Sequence, residues 1–177
     1  MDWFLNGIGR FFPNAAHELA RLIPPPERSD LLRAYHARLT DPDPAVHIPF
    51  ARAWANFESA CSALRSRGRD QRLTSDRFAI AVSRIEAHYF MNDCFLAPDQ
   101  LLVELDRIKH LPCHIVQGRY DMICPPETAV RLADAWPRAT LEMVEDAGHS
   151  ALEPGIRAAL VRATDRFGQS LRSHAGQ

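Results

Sequence analysis

Two side chains that could form an acid–base pair, Asp121 and His149, each follow a short apolar segment. A carboxylate bonded to an imidazole fixes the ring's tautomer and stabilises the imidazolium that forms when histidine takes a nucleophile's proton. Functional groups of open α/β sheets collect just beyond the carboxyl ends of the strands. The positions therefore favour an acid–base pair. On spacing alone, an ordinary turn aspartate and a loop histidine remain an open alternative.

The elements around this pair indicate an α/β arrangement. Residues 113–118 are an apolar run that ends in glycine, so we expect a buried strand there, and residues 140–144 predict a second strand. Prolines at 125–126 and at 154 each open a helical segment, and strand–helix–strand–helix order is typical of a parallel sheet. Asp followed by His is also the second half of the Ser–Asp–His chain order of α/β-hydrolases.

The first hundred residues instead predict successive helices, with a boundary near residue 97. Residues 65–70 are polar and contain a glycine, which predicts a loop. We expect one helix after the prolines at 42 and 44 and another after Ser75 or Asp76, either of which could cap it. Apolar residues at helical spacing define the expected buried faces: Val46, Phe50, Ala53, Phe57, Cys61 and Leu64 on the first helix, and Phe78, Val82, Ile85 and Tyr89 on the second.

Composition excludes several classes of function. The 177 residues include 21 basic and 22 acidic side chains, so the basic excess of a generic nucleic-acid or membrane-surface binder is absent. Four cysteines without a C-x-x-C motif argue against a zinc framework or a disulfide scaffold. The sequence shows neither a signal peptide nor a run of ~18 apolar residues. We therefore expect a cytoplasmic protein with no metal, no cofactor, no nucleic-acid partner and no membrane contact.

Several separated segments resemble the proline iminopeptidases (prolyl aminopeptidases), serine peptidases of the α/β-hydrolase superfamily. Residues 117–126 (Gln-Gly-Arg-Tyr-Asp-Met-Ile-Cys-Pro-Pro) resemble the family's acid loop, and residues 146–150 (Asp-Ala-Gly-His-Ser) its histidine loop. Residues 54–58 (Trp-Ala-Asn-Phe-Glu) resemble its Trp-x-x-Trp-Glu segment, and residues 85–90 (Ile-Glu-Ala-His-Tyr-Phe) its Glu-x-His-Tyr-Phe segment. The resemblance covers nearly the whole chain.

The resemblance implies a fold and a set of roles. Residues 1–97 would be a helical cap domain, and residues 98–177 would be the last two parallel strands of the hydrolase domain with their flanking helices. Asp121 and His149 would be the acid and base of the triad. Glu58 and Glu86 would receive the free α-amino group of a peptide that begins with proline, and Cys124 would place a thiol near the site.

The glutamates also have a plainer interpretation. Glu58 and Glu86 border apolar helical stripes, and an ordinary solvated glutamate at such an edge is the alternative for each. Carboxylates in a partly apolar pocket would bind a cationic N-terminus by charge-assisted hydrogen bonds. The family resemblance favours that role. The alternative for Cys124 is a small packed side chain, and we do not expect it to be the nucleophile.

The serine nucleophile of the family is missing from the printed sequence. None of the eight glycines flanks a serine in the G-x-S-x-G pattern, and the family's glycine-rich oxyanion loop is absent. We therefore expect the C-terminal portion of a longer hydrolase, lacking its N-terminal half and inactive alone. Two alternatives remain: a non-catalytic module that binds peptide N-termini, or one half of a split hydrolase whose other half is a separate partner.

Overall fold

The computed structural model describes residues 3–64 and 75–175, with side chains to residue 172. The loop expected at residues 65–70 lies outside this range. The described residues form two compact units: residues 3–61 with 75–98, and residues 62–64 with 99–175.

The first unit is helical. Its α-helices are α1 (Pro13–Arg21), α2 (Leu31–Leu39), α3 (Pro44–Ser62, whose last residue groups with the second unit) and α4 (Asp76–Met91). Shorter helical turns span Trp3–Gly7, Ile8–Arg10, Pro25–Asp30 and Asp93–Phe95. The α4 helix begins as expected at the Ser75 cap, whose side chain accepts the backbone N–H of Phe78.

The core of the first unit surrounds Trp54, which is fully buried on α3. The Tyr35 ring lies 5.5 Å from Trp54, and its hydroxyl donates to the carbonyl of Leu19 at 2.6 Å. Phe4 packs against the same cluster, with ring centroids 5.6 Å from Trp54 and 5.4 Å from Phe57. Burial of Phe57 and Cys61 confirms part of the face expected on α3, whereas the expected Leu64 is 41% exposed.

The face expected on α4 is wrong by about one position. The helix buries Ala79, Ser83 and Ala87, while Ile85 and Tyr89 are 59% and 47% exposed. Small residues let α4 pack closely against α2, and the Ser83 hydroxyl donates to the Ala79 carbonyl at 2.7 Å, so its burial leaves no unpaired polar group.

The second unit contains a parallel β–α–β segment. Its elements are α5 (Gln100–Val103), a helical turn (Leu105–Arg107), β1 (Cys113–Gly118), α6 (Pro126–Ala135), β2 (Ala139–Val144) and α7 (Pro154–Ala175). The two strands pair in parallel from Cys113 opposite Ala139 to Gly118 opposite Val144, which confirms the expected strands and their direction. The side chains of both strands are mostly half-buried, although β1 was expected to be buried, since among the described residues the sheet has two strands.

Both flanking helices pack on this sheet. The α7 helix approaches β2 closely at Gly155, where a Cβ would lie 2.6 Å from Val144 Cγ1. Arg162 of α7 donates to the carboxylate of Glu142 on β2 at 2.6 Å. The carboxyl ends of both strands thereby open into two adjacent loops, which we name the acid loop (residues 119–125) and the histidine loop (residues 145–153).

Candidate active site

The carboxylate of Asp121 is held by the backbone of its own loop. Asp121 follows the buried Gly118 by three residues, and its side chain is only 7% exposed. Its Oδ1 accepts the backbone N–H groups of Ile123 at 3.0 Å and Cys124 at 2.8 Å. These bonds turn the acid loop back on itself and fix one edge of the carboxylate.

The other carboxylate oxygen of Asp121 faces two side chains. Oδ2 accepts from Nδ1 of His149 at 3.0 Å and from Nε2 of Gln117 at 3.0 Å. Gln117 also donates to the carbonyl of Cys124 at 3.2 Å, so it ties the end of β1 to the acid loop. Four donors therefore serve one buried carboxylate, which offsets the cost of removing its charge from water.

The histidine loop is held mainly through its backbone. The N–H groups of His149 and Ser150 donate to the carbonyl of Ser62 at 2.8 and 2.9 Å. The N–H of Gly148 donates to Oε1 of the buried Glu153 at 2.6 Å. A Cβ on Gly148 would lie 3.0 Å from the Ser62 carbonyl oxygen, so glycine gives the loop its close approach.

The two loops also contact each other directly. A Cβ on Gly118 would lie 2.0 Å from the carbonyl oxygen of Gly148, a distance that excludes any side chain there. The N–H of Tyr120 donates to the carbonyl of Ala147 at 2.9 Å. Backbone contact without intervening side chains brings Asp121 and His149 to hydrogen-bond distance.

The surroundings of His149 favour its protonated form. The side chain is 36% exposed, and its pKa is raised from 6.5 to about 10. The hydrogen bond to Asp121 is the largest cause, followed by a hydrogen bond to the Cys124 side chain, while partial burial acts in the opposite direction. Since Nδ1 is bonded to Asp121, Nε2 is the nitrogen suited to exchange a proton with a nucleophile.

The sequence does not predict the supporting roles of Gln117 and Glu153. Gln117 lies near the end of β1, two residues before the acid loop, and carries no motif of its own. The direction of β1 brings its side chain to Asp121. Glu153 precedes the proline that opens α7 and reads as an ordinary exposed acid, yet it is 6% exposed. Ser150, next to His149, has a turn role in which its Oγ accepts the N–H of Leu152 at 3.3 Å.

Glu58 and Glu86 both lie in the first, helical unit. Both side chains are half-buried, Glu58 on α3 and Glu86 on α4. The indole Nε1 of Trp54 donates to Oε2 of Glu86 at 2.6 Å, and Trp54 precedes Glu58 by one helical turn. The negative charge of Glu58 adds to burial in raising the pKa of the Cys61 thiol to about 11.

Two further properties of the described residues bear on function. No group of three or more His, Cys, Asp or Glu side chains within residues 3–64 and 75–172 could hold a metal ion. Within the same ranges, no helix is long and apolar enough to cross a membrane.

The chain is similar to known hydrolases along most of its length. Residues 81–172 match the family model described as TAP-like protein, of the α/β-hydrolase class. The chain is 45% identical over 168 residues to a probable proline iminopeptidase of Leptolyngbya boryana, covering 93% of this chain and 52% of the relative. It is 44% identical over 173 residues to a proline iminopeptidase of Xanthomonas citri, covering 94% and 54%.

A plant relative shows a similar identity and a similar coverage of this chain. The proline iminopeptidase of Arabidopsis thaliana is 45% identical over 171 residues, covering 94% of this chain and 45% of the relative. The chain thus spans about half the length of the curated relatives it matches, corresponding to their C-terminal portion. It belongs to the TAP-like family of α/β-hydrolases and resembles the C-terminal portion of the proline iminopeptidases.

Proposed function

We propose that this chain supplies the acid and base of a serine aminopeptidase that releases N-terminal proline from peptides. The observation that carries the proposal is the 3.0 Å contact between His149 Nδ1 and the buried, four-fold bonded carboxylate of Asp121. An imidazole oriented by a fixed carboxylate is the proton-transfer part of a serine hydrolase. Similarity to proline iminopeptidases supports this substrate class.

In this proposal the serine comes from outside the printed sequence, which contains no G-x-S-x-G segment. Its hydroxyl gives its proton to Nε2 of the unprotonated His149, a form whose share increases with pH because the pKa of His149 is raised, and its oxygen attacks the carbonyl carbon of the N-terminal prolyl residue. The imidazolium, stabilised by Asp121, then protonates the departing amine and leaves a prolyl ester on serine. Water, deprotonated by His149, attacks the carbonyl carbon of that ester, and the imidazolium returns the proton to the serine oxygen as proline is released.

The same proposal assigns the substrate's amine to Glu58 and Glu86. A half-buried carboxylate binds a charged α-amino group more strongly than a fully solvated one would, because water screens it less. The bond from Trp54 holds the Glu86 carboxylate in one orientation on α4. Residues 1–97 are then the cap domain and residues 98–177 the end of the hydrolase domain, an assignment supported by the division between units at residue 98.

Complementation tests the catalytic part. The chain is mixed or co-expressed with the N-terminal part of the Xanthomonas citri relative that lies outside the matched region, and hydrolysis of proline p-nitroanilide is followed. We expect turnover in the mixture that falls by ~10³-fold or more in His149→Ala and Asp121→Asn, while Glu127→Ala, an exposed acid on α6, keeps it. Turnover in the mixture that is unchanged by His149→Ala would refute the assignment.

The chain alone supplies a second test. We expect no hydrolysis of the anilide without the partner. Hydrolysis by the chain alone that disappears in His149→Ala would show that the nucleophile lies within these 177 residues and would overturn this part of the proposal.

A second function, a non-catalytic module that binds peptide N-termini, is favoured by one observation. The Trp54–Glu86 bond orders a candidate amine receptor within this chain. Titration calorimetry with a proline-initiated peptide distinguishes the cases. Binding by the chain alone that is lost when the peptide N-terminus is acetylated, and weakened by Glu86→Gln, supports the module. Absence of binding at millimolar peptide contradicts it.

A further inference from the structure

Glu153 is an acid whose burial the proposed chemistry does not use. It lies directly before α7 and is 6% exposed, although an ionised carboxylate is costly to bury without donors. Its Oε1 accepts the N–H of Gly148 at 2.6 Å. A bond from a backbone N–H to a carboxylate is charge-assisted and among the stronger ones in proteins.

The position of that bond gives it a specific consequence. The N–H of Gly148 lies in the peptide that joins Ala147 to Gly148, so the bond from Glu153 fixes the peptide plane that stands one residue before His149. The Ser62 carbonyl holds the following two N–H groups from the other side, at 2.8 and 2.9 Å. The N–H groups of three successive residues, 148 to 150, therefore each have an acceptor. The Glu153 side chain is the acceptor for the first of them.

There is little room for the loop to adjust if this partner is lost. A Cβ on Gly148 would lie 3.0 Å from the Ser62 carbonyl oxygen and 3.2 Å from Glu153 Oε1. A Cβ on Gly118 would lie 2.0 Å from the carbonyl oxygen of Gly148. Loss of the carboxylate would leave the Gly148 N–H unpaired in a buried place. The loop would then rotate to find another acceptor and would carry His149 with it.

We propose that Glu153 is a positioning residue, whose carboxylate holds the Gly148 peptide so that His149 Nδ1 meets Asp121. The proposal rests on the proposed function only for the role of His149 as the base. Glu153 itself touches neither substrate nor a reacting atom in this assignment. It acts through the backbone of the histidine loop.

The test measures protonation of His149 in the intact chain, without turnover. The titratable side chains that face its ring are Asp121 and Cys124. Proton and nitrogen NMR of the imidazole, assigned by comparison with His149→Gln, gives the titration midpoint and the tautomer. Two variants of similar side-chain size are compared: Glu153→Gln keeps an oxygen acceptor without charge, and Glu153→Leu removes both.

We expect Glu153→Gln to keep the midpoint within about 0.3 pH units of the parent protein and to retain the proton on Nδ1. We expect Glu153→Leu to lower the midpoint by about one pH unit or more, because the contact with Asp121 lengthens. The charge is absent from both variants, so the difference between them reports on the hydrogen bond to Gly148. Glu127→Ala serves as a control and should titrate like the parent.

A midpoint that is equal in the two Glu153 variants would overturn the proposal, even if Glu153→Leu were less stable to heat. Should Glu153→Leu not fold, Glu153→Asp replaces it, since it keeps the charge but withdraws the oxygen by one methylene. A lowered midpoint in Glu153→Asp supports the proposal, and an unchanged one refutes it. Failure of the complementation assay would refute the proposed function while leaving this measurement intact.

Discussion

The Asp121–His149 contact should make the stability of the chain depend on pH in a defined direction. The pKa of His149 is raised in the folded state, so the folded protein binds its proton more tightly than the unfolded chain does. The stabilisation is therefore fully present below the unfolded value of about 6.5 and is lost as pH rises through the folded value. Asp121→Asn removes the charge responsible and should remove the dependence.

The size of the effect follows from the shift and from the exposure of the ring. A pKa raised to about 10 would correspond to about 5 kcal/mol, at 1.36 kcal/mol for each unit. The His149 side chain is 36% exposed, however, and water screens a pair that is open to solvent. We therefore expect the free energy of unfolding to fall by about 1–2 kcal/mol between pH 6 and pH 8.5.

The assay is urea unfolding at fixed ionic strength, followed by tryptophan fluorescence at pH values from 6 to 8.5. The upper limit of pH 8.5 keeps thiol ionisation out of the measurement. Burial raises the pKa of Cys61 to about 11 in the folded protein, so above pH 9 this thiol would ionise in the unfolded chain first and add a second loss of stability. Asp121→Asn is expected to be less stable at every pH, since its oxygen can accept from Ile123 and Cys124 only if its NH2 group faces the donors of Gln117 and His149. The slope with pH is therefore the informative quantity.

A parent protein whose stability stays level or increases from pH 6 to pH 8.5 would refute the reasoning. So would an equal slope in Asp121→Asn, because the dependence would then arise from another group. Glu127→Ala, which removes an exposed acid from the same unit, should reproduce the parent slope.

Three further substitutions test separate parts of the structure. Trp54→Phe leaves Glu86 without its indole donor and should destabilise the chain by about 1–3 kcal/mol in urea unfolding, with the ring cluster otherwise kept. Gly118→Ala places a methyl group 2.0 Å from the Gly148 carbonyl oxygen, so the NMR midpoint of His149 should fall toward its ordinary range as the loops separate. Ile85→Ser, on the exposed side of α4, should change the free energy of unfolding by no more than about 0.5 kcal/mol. A larger loss of stability would place this side chain in the core.

The strands and the acid–base pair could be predicted because their signals are local. Short apolar segments that end at Gly118 and Val144, each followed by polar residues and then a helix opened by proline, define a β–α–β unit without knowledge of distant contacts. The half-buried state of the strands could not be predicted in this way, since it depends on how many further strands pair with them.

The buried face of α4 shows where hydrophobic periodicity is insufficient. Large apolar residues recur at helical spacing, and Ile85 and Tyr89 suit a core, yet the helix buries Ala79, Ser83 and Ala87. A close approach to α2 selects for size more than for apolar character, and the hydroxyl of a buried serine can bond to the preceding turn. Neither condition is visible in a pattern that scores hydrophobicity alone.

The supporting roles of Gln117 and Glu153 could not be predicted from the sequence for a related reason. Gln117 acts through hydrogen bonds to Asp121 and to the carbonyl of Cys124, and Glu153 acts through a bond from a backbone N–H. No residue type or spacing predicts such bonds. Their roles depend on loop conformations that are set by glycine contacts between chain segments 30 residues apart. A sequence pattern can place a chemical group at the end of a strand, but the groups that orient it are determined only when the loops fold against each other.

The parallel register explains why an aspartate and a histidine 28 residues apart can meet. Gly118 and Val144 are paired at the same edge of the sheet, so Asp121 lies three residues beyond that edge and His149 five. The shorter loop is turned back by bonds from Ile123 and Cys124 to the Asp121 carboxylate. The longer one is fixed at Gly148 before its functional side chain emerges. The acid–base contact is therefore specified by residues 117–153 together with the Ser62 carbonyl, whatever segment provides the nucleophile.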